Sequence, residues 1–555
     1  MGYYLNGTQA FSVYESESRK PYFVDKTALL KELIPLVEQG NNHICITRPR
    51  RFGKSVMAAM VGAFFGKGTD SSGIFDSLKI AQDPQNEGGP LQGQPDEAVD
   101  YRQYMNQYDV IYINFIEAAN ESSSYEEFIT TTKEILQEDL REAFPDVKFR
   151  KKGTAIQDLQ KIYEHTQNKF ILVFDEWDCI FHKDYTTDED RRNFINWLAA
   201  LTKDKGYIAL SYMTGVLPIA KYSSGSTINN FDEYTMAVQP KFSEYFGFTD
   251  EEVDILYERY LKRESSPAIT REDLRIWYDG YHTAGGARLY NPRSVVKALS
   301  NNCLASYWTS SGQYMEIAAY IANDRDDVKK DVALMVLGEA VPAKVEEYAA
   351  TAMRLGTRNE ILSAMVVYGF LNYENGKVHI PNKELTDEFA KTIREKESLG
   401  YINRLAVESD RMLQATLKGD TKTMEEILQF AHDTETPLLD YNDETELTAI
   451  VNLVYLSARD SYYVERENKA GEGYTDFIFY PERAGDDGLI LELKVDDTPE
   501  AAIQQIRDRK YLLKFQGRMV EKKRHTGRVL LVGIGYSKKK KDHHCKVEIV
   551  RFVNE

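Results

Sequence analysis

No apolar run in this 555-residue chain reaches the roughly 18 residues that a membrane-spanning helix needs. The N-terminus, Met1-Gly-Tyr-Tyr-Leu5, also lacks the basic region and apolar core of a secretion signal. Membrane insertion and export are therefore not expected, and cytoplasm is the expected compartment. Cysteine is scarce. Cys45, Cys179, Cys303 and Cys545 lie far apart, match no zinc spacing and read as small core residues in a reducing compartment. A basic excess is missing too: the formal charge of −18 argues against a protein coated in nucleic-acid-binding surface, although local basic patches remain open. What is present is an ordinary globular composition, 42% hydrophobic and 28% charged, in a chain too long for one core. About three or four domains are expected.

The first chemical signal is Ile44-Cys-Ile-Thr-Arg-Pro-Arg-Arg-Phe-Gly-Lys-Ser-Val56, an apolar run, a basic turn, and Gly53-Lys54-Ser55 opening an amphipathic segment. A strand whose loop feeds a helix N-terminus aims backbone N–H groups and the positive end of the helix dipole at one point, which suits a phosphate. Arg50, Arg51, Phe52, Gly53, Lys54, Ser55 and Val56 are the nucleotide-binding candidates. Lys54 would meet the β- and γ-phosphates of ATP, and Ser55 would offer its hydroxyl to Mg²⁺. The pattern is imperfect, because GxxxxGK[ST] calls for glycine where this chain has Arg48.

The second signal is Lys169-Phe-Ile-Leu-Val-Phe-Asp-Glu176, an apolar run that reads as a strand buried on both faces. Its two carboxylates fall at the strand's C-terminal edge, where ligands sit in open parallel sheets. Asp175 would hold Mg²⁺ and Glu176 would polarise the attacking water. A further strand, Tyr207 to Gly215, ends in Thr214, which either contacts the γ-phosphate or orients the water, or is an ordinary threonine at a strand end. Upstream, Leu29, Leu30, Leu33, Ile34 and Val37 form a helical stripe behind Thr27 as a cap candidate. Residues 66 to 103 read as a long polar surface loop before the strand Val110 to Phe115. Alternating βα units up to about residue 240 predict an α/β domain with a parallel sheet.

Residues 250 to 440 carry less chemistry. Trp277 to Tyr281 and Tyr290 to Ser294 suit a structured lid, by packing or by stacking on a base. Asn359 to Asn382 reads helix, strand, turn, strand, the outline of a winged helix. Helices run from Asp387 to His432, and Asp433 to Tyr441 reads as a linker. The expected division is a P-loop domain over 1–240, a helical lid over 241–310, a helical and winged-helix-like region over 311–432 and an α/β domain over 433–555.

That last segment holds the third signal. Asp476 and Glu492-Leu-Lys494 have the spacing Asp-x₁₅-Glu-x-Lys of the PD-(D/E)XK pattern. Side chains two apart on a strand share a face, so Glu492 and Lys494 point together, and a hairpin partner brings Asp476 beside them. Such a cluster is costly to bury unless a cation and a phosphate join it. Asp476 and Glu492 would hold Mg²⁺, or Mn²⁺, while Lys494 would stabilise or orient the attacking hydroxide. Glu446, or else Glu444 or Glu465, would add a carboxylate. A helix from Ala502 to Tyr511 follows. From Gln505 to Glu555 basic residues outnumber acidic ones about three to one, which suits phosphate backbone or simply solvated tips.

Tyr22-Phe-Val-Asp-Lys-Thr27, Arg48 to Ser55, Phe174-Asp-Glu176, Met213-Thr-Gly215, Phe246-Gly-Phe-Thr249, Trp277 to Tyr281 and Tyr290 to Val295, in that order, resemble the bacterial AAA-ATPase-like proteins. The resemblance covers about residues 5 to 300. In that family the Arg-Pro-Arg-Arg-Phe-Gly-Lys-Ser loop is usual, so Arg48 is no departure. The resemblance also implies a C-terminal PD-(D/E)XK nuclease-like domain, in which Gln505 and Tyr511 would support the Asp476, Glu492 and Lys494 site.

Three functions follow as expectations. The first is an ATP-regulated, Mg²⁺-dependent nuclease acting on nucleic acid, DNA above all, in defence against or mobility of foreign DNA. The second is a P-loop signalling switch whose nuclease fold only binds nucleic acid. The third is an assembly protein that self-associates on nucleotide.

Overall fold

A computed structural model describes residues 2–40, 42–82, 100–219, 229–236, 239, 241–308, 326–336, 338–345, 357–395, 397, 401–433, 444–465, 477–483, 485–515, 519–520, 523–524 and 527–550. The chain divides into two compact units, one of Met1–Ser310 with Pro342–Glu384, the other of Ser311–Val341 with Leu385–Glu555. Among the described residues no helix is long and apolar enough to cross a membrane.

In the first unit, helices α1 (Gln9–Ser18) and α2 (Ala28–Gln39) precede strand β1 (Asn42–Thr47). The stripe of α2 is buried throughout, as its helical spacing requires. Thr27 does not cap it. Its hydroxyl donates to Asp25 at 2.7 Å and accepts the Ile80 N–H at 2.9 Å, tying the helix start to a neighbouring turn instead. The loop after β1, Arg48 to Gly53, leads into α3 (Lys54–Phe65). Within the expected loop, Ser72–Phe75, Lys79–Ala81 and Tyr101–Gln103 are helical turns that bury Phe75, Ile80 and Tyr101, while residues 83–99 lie outside the described residues. There follow β2 (Asp109–Asn114), α4 (Phe115–Glu121), α5 (Tyr125–Ala143), α6 (Ala155–Thr166), β3 (Phe170–Asp175), α7 (Asp188–Thr202), β4 (Ile208–Gly215) and β5 (Asp232–Thr235).

The sheet runs β2-β3-β4-β1-β5 with every neighbouring pair parallel. All residues of β3 and β4 are buried, the signature of strands covered on both faces. Because β4 lies between β1 and β3, the C-terminal edges of all three meet: Ile46 pairs with Thr214, and Phe174 with Met213. The loop after β1, the acids after β3 and the threonine of β4 are thereby side by side.

Helices α8 (Asp250–Arg263), α9 (Arg271–Tyr278) and α10 (Pro292–Asn301) form a second cluster around Tyr22, Phe248, Leu256, Tyr278 and Tyr290. The aromatics of this region therefore pack. Helix α11 (Arg358–Val367) and a hairpin of β6 (Asn372–Glu374) and β7 (Lys377–His379) complete the unit, and the chain leaves it within α12 (Lys383–Glu395).

The second unit contains α13 (Tyr401–Val407), α14 (Ser409–Lys418), α15 (Thr421–Asp433), α16 (Glu444–Val454), β8 (Tyr462–Glu465), β9 (Phe477–Pro481), β10 (Gly488–Val495), α17 (Pro499–Asp508), β11 (Val529–Ser537) and β12 (Asp542–Val550). Its sheet runs β8-β9-β10-β11-β12, parallel at β10 and β11 and antiparallel elsewhere. Helix α17 lies directly on β11: a Cβ on Gly533 would come 2.2 Å from the Pro499 carbonyl oxygen. Helix α15 covers β12, where the Glu425 carboxylate accepts the Cys545 N–H at 2.8 Å and blunts the sheet edge.

Two local expectations need correction. Cys303 is exposed while the other three cysteines are buried. Helix α17 ends at Asp508, because Lys510 turns left-handed at φ +55° and sets Tyr511 in a separate turn, Tyr511–Lys514. Residues 434–441 of the expected linker lie outside the described residues.

Candidate functional site

The loop from Arg48 to Gly53 turns through the left-handed region twice, at Arg51 (φ +72°) and Gly53 (φ +88°). A Cβ on Gly53 would meet nothing within 4 Å, so the cradle ahead of α3 is open. Lys54 is buried, donates to the Pro49 carbonyl at 3.2 Å and stands 4.0 Å from the Glu176 carboxylate. Glu176 itself sits at φ +53°, a costly conformation for a residue with a side chain. Asp175 is fully buried and accepts from the Thr214 hydroxyl at 2.6 Å and from Ser55. Burial first, then repulsion by Glu176, pushes its carboxyl up to about 6 against those bonds and Lys54. Three residues further on, Asp178 accepts the N–H groups of Val216 and Leu217 at 3.0 and 2.8 Å, which fixes the chain leaving β4.

Arg50 to Val56 and Glu176 line one cavity of about 590 Å³, with Asp175 and Thr214 buried behind it. The Phe52 ring is buried edge-on against Tyr281 at 5.0 Å and anchors the loop. Two cations missed by sequence reasoning, Arg293 and Lys297, reach the same cavity from the first turns of α10. The available signal was Asn291-Pro292, a helix cap followed by proline at its first position, which aims a helix N-terminus here. Burial, then Arg293 and Arg50, hold the Arg51 guanidinium below its ordinary value: the walls repel each other until an anion enters. Carboxylates are few, with Glu176 facing the loop and Glu17 engaged with Lys20.

In the second unit Glu492 is buried, and its Oε1 accepts from Gln505 and lies 3.4 Å from the Lys494 ammonium. Glu492, Lys494 and Gln505 are therefore together. Tyr511 lies in the apolar cluster of Ile478, Tyr480, Ile490 and Ile506 beneath α17. Glu465 on β8 pairs with Lys514 at 3.5 Å. Asp476 lies outside the described residues, as do the side chains of Glu444 and Glu446 in α16. Lys538 to Lys541 form the tip between β11 and β12. Among the described residues no group of three or more His, Cys, Asp or Glu is placed to hold a metal ion.

Residues 6–224 match the AAA-ATPase-like family, described as "Predicted AAA-ATPase", and residues 444–540 match the PD-(D/E)XK nuclease superfamily. An "Uncharacterized protein in vnfD 5'region" of Azotobacter chroococcum mcd 1 is 24% identical over 320 residues, covering 55% of this chain. The match spans 53%, about half, of that relative's own length. Similar solved structures include the Walker-type ATPase PABY2304 of Pyrococcus abyssi (10% identity, TM-score 0.36, 65% of this chain and 93% of that one). Another is the ORC2 protein of Aeropyrum pernix in ADPNP–ADP complexes (11% identity, TM-score 0.29, 69% and 92%).

Proposed function

We propose that this chain, with an AAA-ATPase-like domain at 6–224 and a PD-(D/E)XK-superfamily domain at 444–540, hydrolyses ATP in the first and cleaves nucleic acid, DNA foremost, in the second. Nucleotide state would govern cleavage. The observation that carries this reading is the convergence of Lys54, Ser55, Asp175, Glu176 and Thr214 on one cation-lined cavity at the C-terminal edge of a parallel sheet. A Mg²⁺ ion fits there: the buried Asp175 Oδ2 has no hydrogen-bond partner among the described residues, and the Ser55 hydroxyl adjoins the same carboxylate. Bound, it would supply charge neutralisation between the phosphates.

Lys54 leaves the Pro49 carbonyl to bind phosphate oxygen. Thr214 keeps the Asp175 carboxylate turned toward Ser55. Glu176, at the cavity wall, orients a water for attack on the γ-phosphorus and takes up its proton. Arg50, Arg51, Arg293 and Lys297 hold the remaining charge of the triphosphate.

For the second domain, the candidate carboxylates are Asp476 and Glu492. Those carboxylates, with Glu446, are the proposed Mg²⁺ or Mn²⁺ set, and the ion would supply an activated hydroxide. Gln505 orients Glu492, Lys494 stands where it can steady that hydroxide, and the lysine tip contacts phosphate backbone. A role in defence against or mobility of foreign DNA rests on the resemblance alone.

Labelled nucleic acids incubated with Mg²⁺ or Mn²⁺, with and without ATP, test the whole. Lys54→Ala is expected to abolish phosphate release. Lys494→Ala is expected to abolish cleavage while ATP hydrolysis persists. Cleavage surviving Lys494→Ala rejects the second site, and sedimentation that responds to ATP without phosphate release favours an assembly role instead.

A further inference from the structure

The nucleotide loop is gripped from behind by residues that the ATPase reading does not use. The Trp308 indole N–H donates to the Arg50 carbonyl at 3.1 Å. Gly369, at φ +83°, lies so close to the loop that a Cβ there would sit 2.5 Å from Cβ of Pro49. The Tyr281 hydroxyl donates to the Gly369 carbonyl at 2.8 Å while its ring packs on Phe52. Pro49, Arg50 and Phe52 are thus each held by a partner outside the sheet.

These contacts converge on one buried carboxylate. Glu384, 1% exposed, accepts from the Ser294 hydroxyl at 3.0 Å and from the backbone N–H groups of Tyr307 and Trp308 at 2.6 and 2.9 Å. Ser294 follows Arg293 in the first turn of α10, the helix that brings Arg293 and Lys297 to the cavity. Trp308 grips the opposite wall at Arg50. Glu384 also stands in the first turn of α12, within which the chain passes from the first compact unit into the second.

We propose that Glu384 is a positioning residue that sets the spacing of the two cationic walls of the cavity and passes the presence of a polyphosphate to helix α12. Three donors on one buried carboxylate form a rigid node, since leaving any of them unpaired in the interior is costly. Drawing the Arg293 wall toward the Arg50 and Arg51 wall around a triphosphate must move Ser294 and Trp308 together. The group joining them sits on α12, so the displacement enters that helix at its N-terminal turn. The inference rests on the cavity binding a nucleoside triphosphate.

The full chain is titrated with Mg·ATP by calorimetry, and amide hydrogen exchange is followed over residues 384–395 with and without ATP, in wild type, Glu384→Ala and Glu384→Gln. In wild type, ATP is expected to slow exchange in this segment. Glu384→Ala is expected to weaken ATP binding about tenfold, the scale of one lost charge-assisted hydrogen-bond node, and to remove the ATP-dependent slowing. Glu384→Gln keeps an acceptor oxygen and is expected to restore both. Ser294→Ala, which deletes a single donor, takes the place of Glu384→Ala if that variant does not fold, with the same two losses in smaller measure. A folded variant with wild-type affinity and wild-type slowing overturns the proposal while the ATP reading stands. A wild type that binds no ATP overturns both.

Discussion

Thr214→Val separates a working threonine from one that merely ends a strand. The two side chains have nearly the same shape, so the substitution leaves no cavity at a fully buried position. What it removes is the 2.6 Å hydrogen bond from the hydroxyl to the Asp175 carboxylate. A hydrogen bond to a charged group contributes about 1.5–3 kcal/mol, and here it also orients the carboxylate proposed to face Mg²⁺. If that orientation is needed in the transition state, the loss corresponds to roughly a tenfold to hundredfold fall in rate. Phosphate release under saturating Mg·ATP gives kcat, nucleotide titration gives affinity, and thermal unfolding reports stability. The expected pattern is a lower kcat with ATP affinity within a few fold of wild type, and recovery in Thr214→Ser, whose hydroxyl can reach the same acceptor. A Thr214→Val protein that loses stability yet keeps its full kcat refutes the reasoning and makes Thr214 structural.

Burial holds the His43 imidazole down to about 4, only partly opposed by Asp204, with Nδ1 3.0 Å from the Ser211 hydroxyl. Between that value and the unfolded one near 6.5 only the unfolded chain binds the proton, so stability falls as pH drops through this window. His43 should withdraw about 2 kcal/mol between pH 7 and pH 5, read as the difference between the wild-type and His43→Asn unfolding profiles, because Asp175, raised to about 6, changes stability in the opposite sense over the same range in both proteins; parallel profiles remove His43 as a source. Gly280 adopts φ +110°, and a Cβ there would lie 1.8 Å from the Pro381 carbonyl oxygen. Gly280→Ala should therefore cost about 3 kcal/mol or more, measured by denaturant unfolding, and a wild-type midpoint would contradict the packing of the turn after α9 against Pro381.

The first sheet was legible because its strands are continuous apolar runs ending in polar residues, and a strand buried on both faces admits little else. Val173 and Phe174 leading to Asp175 could be placed from composition alone. Register could not: the sequence does not say that β4 inserts between β1 and β3, and that insertion is what brings Thr214 to Asp175. The cations of α10 escaped for a related reason. Asn291-Pro292 predicts where a helix starts, but only tertiary packing aims that start at a loop more than 200 residues earlier. Glu384 carried no signal at all, since one glutamate opening an amphipathic helix looks like a solvated acid until its three donors are seen. In the second unit, alternation along β10 placed Glu492 with Lys494, whereas Tyr511 was misplaced because nothing in the sequence announces the left-handed turn at Lys510.

Arg48 shows how a departure from a motif can be physically consistent with it. Its side chain is 1% exposed and turns into the interior, donating through Nη1 to the carbonyls of Thr47 at 2.8 Å and Tyr234 at 2.7 Å, with the guanidinium 4.9 Å from the Phe246 ring centre. Those contacts join the end of β1 to β5 and to the segment behind it, giving the loop a rigid base that a glycine would not supply. Among the described residues no acidic side chain pairs with Arg48 and its Nε and Nη2 have no hydrogen-bond partner, and burial brings its ionisation down to about 9. Burying an unpaired charge costs several kcal/mol, of which a cation–π contact offsets about 2. At neutral pH the charge nevertheless remains, buried at the foot of a loop whose far side carries Arg50, Arg51 and Lys54. Its field is poorly screened there and adds to theirs. The same residue that breaks the glycine pattern thus raises the demand for an anion in the cavity, which is the property the pattern exists to create.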